Sequence, residues 1–489
     1  MEILDLLRQQ GIAPQRLTAD SRRVQPGDVF VAFPGAHVDG RDFIVQALTN
    51  GAAAVIAEAG VKARVMRSGI PWDGAGDAPI VEVDGLGTLS GEIAHLVYGR
   101  PSEKLWLAGV TGTNGKTSVS QWIAQAMDAL GQRCAVVGTL GNGFVDELVE
   151  SPNTTPDAIT LHAALAGFLE RGARACAMEV SSIGLDQGRA NGAAFDVAVF
   201  TNLTRDHLEY HGSMEAYAAA KEKLFAMPGL GAVVINLDDA FGRELAQRLR
   251  GRLPTLGFTL GASAGATDEV LQAENLRMGA AGIEFELKGA TISAPVVGRF
   301  NASNLLAVAG ALLSRGESLD AIAAALRGIH PPPGRMQALG GEGQPLVIVD
   351  YAHTPDALEK ALGVLRETAT ARGGKLACVF GCGGERDPGK RPQMGAVAEA
   401  LADDVLVTSD NPRGEDPQAI IAAILGGMKS RPRVEVDRAR AVAAAVAEAD
   451  PVDVILLAGK GHEPYQEIAG VRHAYSDLEA AKSALETRR

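Results

Sequence analysis

Leu105-Trp106-Leu107-Ala108-Gly109-Val110-Thr111-Gly112-Thr113-Asn114-Gly115-Lys116-Thr117 is the stretch whose reading decides the fold. Leu105–Val110 is an apolar run of strand length. After the glycine-rich turn, Val119, Trp122, Ile123, Ala126, Met127 and Leu130 recur at i, i+3, i+4, i+7, i+8 and i+11, the period of a helix with one buried face. Gly131 stands where a helix C-cap belongs, and Cys134–Val137 reads as a second strand. Strand, glycine loop, amphipathic helix and strand make a βαβ unit, hence an α/β fold with a parallel sheet. Gly112 and Gly115 allow backbone amides to turn inward around phosphates, and the helix start adds its positive end. Lys116 is placed to reach β- and γ-phosphates, and the Thr117 hydroxyl suits Mg²⁺. Val110 occupies the first glycine position of the strict G-x4-G-K-[ST] pattern, so a glycine-rich βα turn with an incidental lysine is the competing reading. The flanking strand and helix favour nucleotide binding.

Outward from the loop, three regimes of composition appear. Residues 1–98 hold short apolar runs, such as Val29–Phe33 and Ala52–Ala57, between Gly/Pro/Asp turns. Residues 99–329 carry the loop and two further buried strands, Ala175–Val180 and Asp196–Phe200. Ile329-His330-Pro331-Pro332-Pro333-Gly334 is a linker, because three prolines block helix and ladder continuation. Residues 330–489 repeat the βα rhythm with Leu346–Val349, Leu376–Phe380, Val405–Val407 and Val454–Leu457. Each of these runs ends in a polar cluster, and doubly wound sheets bind ligands at the carboxyl ends of their strands. The third regime is therefore expected to be a second ligand-binding unit.

At 489 residues the chain is too long for one core, and 46% hydrophobic with 21% charged residues describes a globular protein. A net charge of −13 without a Lys/Arg block argues against nucleic acid as a partner. Four cysteines form no disulfide framework, and Cys378 and Cys382 lack a second ligand pair for zinc. No basic-plus-apolar leader opens the chain, and no apolar run reaches the roughly 18–20 residues that span a bilayer. A cytoplasmic protein without membrane association is the expectation.

Several strand ends carry candidate chemistry. Glu179 suits a water or Mg²⁺ beside the loop, or else caps a helix or pairs with a cation. Thr204-Arg205-Asp206-His207 offers a histidine and an acid for metal or proton work, against a structural histidine. Asp410-Asn411-Pro412-Arg413 matches a zwitterionic amino acid, Asp for the ammonium and Arg bidentate on the carboxylate, and equally an Asp-initiated turn with Pro second. Arg386 and Gly459-Lys460-Gly461-His462-Glu463 fit the same pocket.

Taken in order, these segments resemble the Mur ligase family over essentially the whole chain. The markers are Asp20-Ser21-Arg22, Gly112–Thr117, Asn153-Thr154-Thr155-Pro156, Glu179-Val180-Ser181-Ser182 and Thr201–Leu208. They continue with Gly298–Asn301, Gly334-Arg335-Met336, Asp350–Pro355, Asp410–Arg413 and Gly459–Glu463. The resemblance implies three domains: residues 1–98 for a UDP-linked substrate, a central P-loop ATPase-like domain at 99–329, and a C-terminal Rossmann-like amino-acid-binding domain at 330–489. It implies ATP and Mg²⁺, with Gly112, Thr113, Asn114, Gly115, Lys116, Thr117, Asn301, Arg335 and Asp350 on the nucleotide. Thr117, Glu179, His207 and Lys221 match the metal positions, Lys221 as a carbamate bridging magnesium; Lys116, Glu179, His207 and Lys221 are the expected catalytic set. Ser21, Thr154, Thr155, Ser181, Gln187 and Arg189 match positions that hold UDP-N-acetylmuramoyl-L-alanyl-D-glutamate. Arg386, Asp410, Asn411, Pro412, Arg413, Gly459 and Glu463 match the amino-acid pocket, and the Asp-Asn-Pro-Arg version is similar to the one that selects meso-diaminopimelate.

The implied reaction begins with γ-carboxylate attack on ATP and continues through an acyl phosphate to an amide, and a monomer is the expectation. Lysine-adding or folylpolyglutamate-synthase-like ligases, and a non-catalytic module of the same fold, are the alternatives. Ile183 and Gln337 depart from the polar residue and the Glu common at those positions in the family.

Overall fold

The apolar runs become strands within a residue or two of their expected ends. The computed structural model describes residues 2–9, 11–35, 38–60, 78–261, 267–279, 282–341 and 343–488. Near the N-terminus, four parallel strands lie in the order Leu17–Thr18, Val29–Ala32, Ala54–Glu58 and Ile80–Val83.

The central sheet has nine strands. In space they run Glu269–Gln272, Thr255–Thr259, Ala232–Asn236, Val197–Phe200, Trp106–Thr111, Ala175–Glu179, Cys134–Gly138, Gly141–Phe144 and Glu147–Val149. The first seven are mutually parallel, as the βαβ reading requires. An antiparallel hairpin, Gly141–Phe144 with Glu147–Val149, extends one edge. The helix Lys116–Ala129 packs Val119, Trp122, Ile123, Ala126 and Met127 into the core on one face of this sheet. A small antiparallel sheet, Glu274–Gly279, Gly282–Leu287 and Ala290–Ala294, adds Ile283, Phe285, Leu287 and Ile292 to that same core.

The last sheet runs Gln337–Gly340, Leu346–Asp350, Val454–Ala458, Leu376–Phe380, Asp404–Val407 and Arg433–Val434, parallel except for its first strand. Its four buried strands are neighbours, so their four polar clusters share one edge. Between the sheets, the proline linker is anchored at His330, whose carbonyl accepts from Trp122 Nε1 at 2.9 Å and Gln125 Nε2 at 3.2 Å. No helix among the described residues is long and apolar enough to cross a membrane.

Candidate active site

The loop after Trp106–Thr111 turns at Gly112, with φ at +146°. A Cβ there would stand 1.9 Å from Thr201 Oγ1, so only glycine lets the loop lie against the neighbouring strand end. Val110 is an ordinary buried strand residue, and the turn simply begins two residues later than the strict pattern has it. The Thr113 and Asn114 amides are spent on Asn202, donating to its backbone oxygen at 2.8 Å and its Oδ1 at 3.0 Å. The first-turn amides of the helix Lys116–Ala129 have no intrahelical acceptor and stay open to an anion.

Two lysines converge on this turn. Lys116 Nζ donates to Gly112 O at 2.8 Å and Thr113 O at 2.9 Å; Lys221 Nζ donates to Gly112 O at 2.9 Å and lies 4.3 Å above the Tyr217 ring. Burial lowers the pKa of Lys116 and pushes that of Lys221 well below the usual lysine range, with the Lys116 charge as a second cause for Lys221. Lys223, two residues on, is outside: it pairs with Asp186 at 2.7 Å. Lys221 is the buried one of the two.

Glu179 caps no helix; the next helix, Ser182–Asp186, is capped by Ser181. The buried Glu179 carboxylate accepts from Thr117 Oγ1 at 3.0 Å, Thr139 N at 2.9 Å and Thr139 Oγ1 at 3.1 Å. A hydroxyl and a carboxylate in contact are hard oxygen donors, and magnesium typically takes one or two carboxylates together with phosphates and waters. This donor chemistry fits the ion. His207 lines the same cleft, half-exposed and in the left-handed region at φ +53°, with Nε2 3.5 Å from Asp206 Oδ2.

The cleft has a volume of about 840 Å³ and is walled by two domains. From the C-terminal side, Arg335 Nη2 donates to Thr117 Oγ1 at 3.2 Å, and its buried Nε has no partner among the described residues. Asp350 accepts from Met336 N at 2.8 Å, with its pKa raised by burial, and Asn301 closes the wall. Asp356 crosses the cleft, accepting from Asn114 Nδ2 at 2.9 Å and Thr204 Oγ1 at 3.1 Å.

Thr154, Thr155, Ser181, Gln187 and Arg189 gather beside Glu179. Thr155 Oγ1 donates to Glu179 O at 3.0 Å and Ser181 Oγ at 3.1 Å; Arg189 Nη1 donates to Thr155 O at 3.0 Å and holds Gln187 Oε1. Thr154 meets the same group through Thr139, hydroxyl to hydroxyl at 3.0 Å. Ser21 is not brought to them: it sits in the first domain, donating to Gln46 Oε1 at 2.7 Å.

The C-terminal strand ends assemble a second cluster. Asn411 Nδ2 donates to Glu463 Oε2 at 2.7 Å, while Gly459 N donates across to Asp350 O at 3.1 Å. Arg413, left-handed at φ +53°, donates from Nη1 to Gly384 O at 2.7 Å; Glu467 lies 3.9 Å from its Nε. Pro412 continues this loop, and Arg386 leans on Glu385 O at 3.4 Å from the exposed side. Sequence reasoning passes over Thr139 and Asp356, and reaches Asn202 and Lys460 only as members of longer motifs with no role of their own. All four follow strand ends or start a helix, but only packing shows which side chains they meet.

A parallel sheet with a glycine turn at its strand end, facing a second doubly wound sheet across this cleft, is the architecture of a class of ATP-dependent ligases. The Mur ligase middle domain matches residues 110–312, the Mur ligase glutamate ligase domain 334–461, and the Mur ligase family catalytic domain 15–98. The chain belongs to the Mur ligase family. A UDP-N-acetylmuramoyl-L-alanyl-D-glutamate--2,6-diaminopimelate ligase of Chromobacterium violaceum is 51% identical over 98% of this chain and 96% of its own. That of Pseudomonas aeruginosa is 54% identical over 96% of this chain and 95% of its own. A solved structure of a ligase of that name matches with a TM-score of 0.69 at 38% identity, covering 97% of this chain and 95% of that one.

Proposed function

We propose that this chain is an ATP-dependent ligase joining meso-2,6-diaminopimelate to the D-glutamate of UDP-N-acetylmuramoyl-L-alanyl-D-glutamate, a step of peptidoglycan synthesis. What carries the reading is a phosphate cleft with Lys116, Lys221, Glu179 and Arg335 on its walls, in a chain half identical end to end to ligases named for that reaction. The D-glutamate γ-carboxylate attacks the γ-phosphorus of ATP; an O–P bond forms, the bond to ADP breaks, and an acyl phosphate results. The free amine of diaminopimelate then attacks the acyl carbon, loses a proton and expels phosphate.

Beside the turn Gly112, Thr113, Asn114 and Gly115, the Lys116 ammonium, the Thr117 hydroxyl and the first-turn helix amides hold the ATP phosphates, with Asn301, Arg335 and Asp350 on the facing wall. Magnesium supplies neutralisation of the charge on the transferring oxygens; Thr117, Glu179, His207 and Lys221 would hold it. The Lys221 role requires a carbamate, and a buried amine held toward its neutral form supports that modification. Ser21, Thr154, Thr155, Ser181, Gln187 and Arg189 hold the UDP-linked substrate. Arg386, Asp410, Asn411, Pro412, Arg413, Gly459 and Glu463 form the amino-acid pocket. Lysine lacks the distal carboxylate of diaminopimelate and would leave the Arg413 fork unpaired, a disadvantage on the order of 10²–10⁴ in rate.

Three domains, 1–98, 99–329 and 330–489, divide the work; the four-, nine- and six-stranded sheets fall one in each, which supports these boundaries. We take the enzyme to act as a cytoplasmic monomer, on small molecules and not on nucleic acid or membrane. Four buried cysteines, all thiols, agree with a reducing compartment.

The test supplies the UDP-linked dipeptide, ATP, Mg²⁺ and either diaminopimelate or lysine, and weighs the product by mass spectrometry. A diaminopimelate adduct formed with one ADP per amide is expected. An adduct with lysine alone, or no ATP-dependent phosphate release, would overturn the assignment.

A further inference from the structure

The acidic end of the amino-acid pocket contains a cation that the roles above leave unused. Lys460, just past the strand Val454–Ala458, is 0% exposed. Its ammonium donates to Asn411 Oδ1 at 2.9 Å and Glu463 Oε2 at 3.1 Å, and stands 3.5 Å from Asp410 Oδ1. An ammonium has three protons and no acceptor, so these three oxygens match its capacity. The same contact orients Asn411: its oxygen faces Lys460 and the Glu467 amide at 3.0 Å, which leaves its Nδ2 to donate to Glu463. The Tyr465 ring lies 5.8 Å from the ammonium.

Asp410 and Glu463 bring two negative charges and Lys460 one positive, so the cluster has one net negative charge. Asp410 is buried and Glu463 partly so, and two carboxylates held this close repel each other unless a cation stands between them. Lys460 stands between them and offsets one of the two formal charges, so one further cation is accommodated. An ammonium group of the amino-acid substrate is such a cation, while Arg413, on the same loop as Asp410 and Asn411, is the partner for its carboxylate.

We propose that Lys460 is a positioning residue for the amino-acid substrate: it orients Asn411 and Glu463 and sets the cluster's charge to receive one ammonium. This rests on the ligase reading above. Lys460 acts through those side chains and not on the reacting atoms.

The decisive measurement is a set of KM values for diaminopimelate, ATP and the UDP-linked substrate in the parent enzyme and in Lys460→Met, which keeps the methylene stem. Losing one member of a buried, hydrogen-bonded charge cluster should raise the diaminopimelate KM at least ~30-fold, with the other two KM values little changed. Lys460→Arg, which restores the charge without the compact geometry, should recover part of the loss. An unchanged diaminopimelate KM, or an equal rise in all three, overturns the proposal. Should Lys460→Met fail to fold, Glu463→Gln and the Lys460→Met/Glu463→Gln double variant carry the same comparison. Adding Lys460→Met should then raise the diaminopimelate KM a further ~10-fold through Asn411 and Asp410, and no further rise refutes it. A parent enzyme that forms no diaminopimelate adduct refutes the ligase reading and this one together; normal turnover with a parent-like KM in Lys460→Met refutes this one alone.

Discussion

Two lysines aimed at one carbonyl oxygen set the character of the site at the residue scale. Among the described residues, Lys116 hydrogen-bonds only to backbone oxygens and forms no salt bridge, so no carboxylate competes in direct contact with an incoming anion for its charge. A donor that stabilises developing charge in a water-excluded site is typically worth 10²–10³ in turnover. Lys116→Ala should therefore lower ATP-dependent phosphate release by at least ~10²-fold while circular dichroism stays parent-like; parent-like release would sink the loop assignment. Lys116 was legible in sequence because its strand, turn and helix are contiguous. That Lys221 and not Lys223 turns inward was not, since on local helix geometry alone either could face the cleft. Packing against Tyr217 and Gly112 decides it.

The strand–turn–helix unit is where the phosphate loop gains its shape at the scale of elements. Gly112 and Gly131 both have positive φ, but they differ in what surrounds them. A Cβ at Gly112 meets Thr201 Oγ1 at 1.9 Å, whereas one at Gly131 meets nothing within 4 Å. Gly131→Ala should thus carry only the left-handed penalty of about 1 kcal/mol and leave ATP binding intact. Gly112→Ala adds a steric clash, and should lower the melting temperature by ~5 °C or more and abolish ATP binding in titration calorimetry. Equal effects of the two substitutions would speak against the Gly112–Thr201 contact as the cause. The parallel strands were readable as continuous apolar runs, since both their faces are covered. Gly282–Leu287 alternates Ile283, Phe285 and Leu287 inward with Glu284 and Glu286 outward, which identifies a strand. Its packing into the same core as the helix Lys116–Ala129 is a long-range fact that alternation does not contain.

Over the whole molecule, the first domain meets the second around a buried histidine pair. His162 has Nε2 3.1 Å from Asn191 O, and its ring lies 5.1 Å from His95, which faces Glu103 at 3.1 Å and Ser102 at 3.4 Å. Burial holds the His162 pKa down to about 4, against 6.5 for a free side chain. Between those values the unfolded chain binds the proton and the folded protein does not, so stability rises with pH across that window. Above about pH 6.5 the contribution is complete; it falls as pH drops toward 4, by on the order of 3 kcal/mol in total. His353 and His462, also held near 4 mainly by burial, act in the same direction. His162→Gln should reduce the steepness of melting temperature against pH between 4.5 and 6.5, and an unchanged profile would refute the role of His162.

By itself the sequence determined the α/β class, the strand, glycine turn and helix between Trp106 and Ala129, and the four polar strand ends of the last sheet. All of these follow from contiguous residues whose period, turn chemistry and order in the chain are local properties. Only the tertiary structure decided that Glu179 meets Thr117 and Thr139, that Asp356 reaches Asn114 across the cleft, and that Lys460 lies among Asp410, Asn411 and Glu463. These partners stand 62, 40, 242 and 49 residues apart in the chain for the four hydrogen bonds concerned. Each pairing depends on which strands become neighbours and how two sheets face one another, and that is set by the packing of the cores.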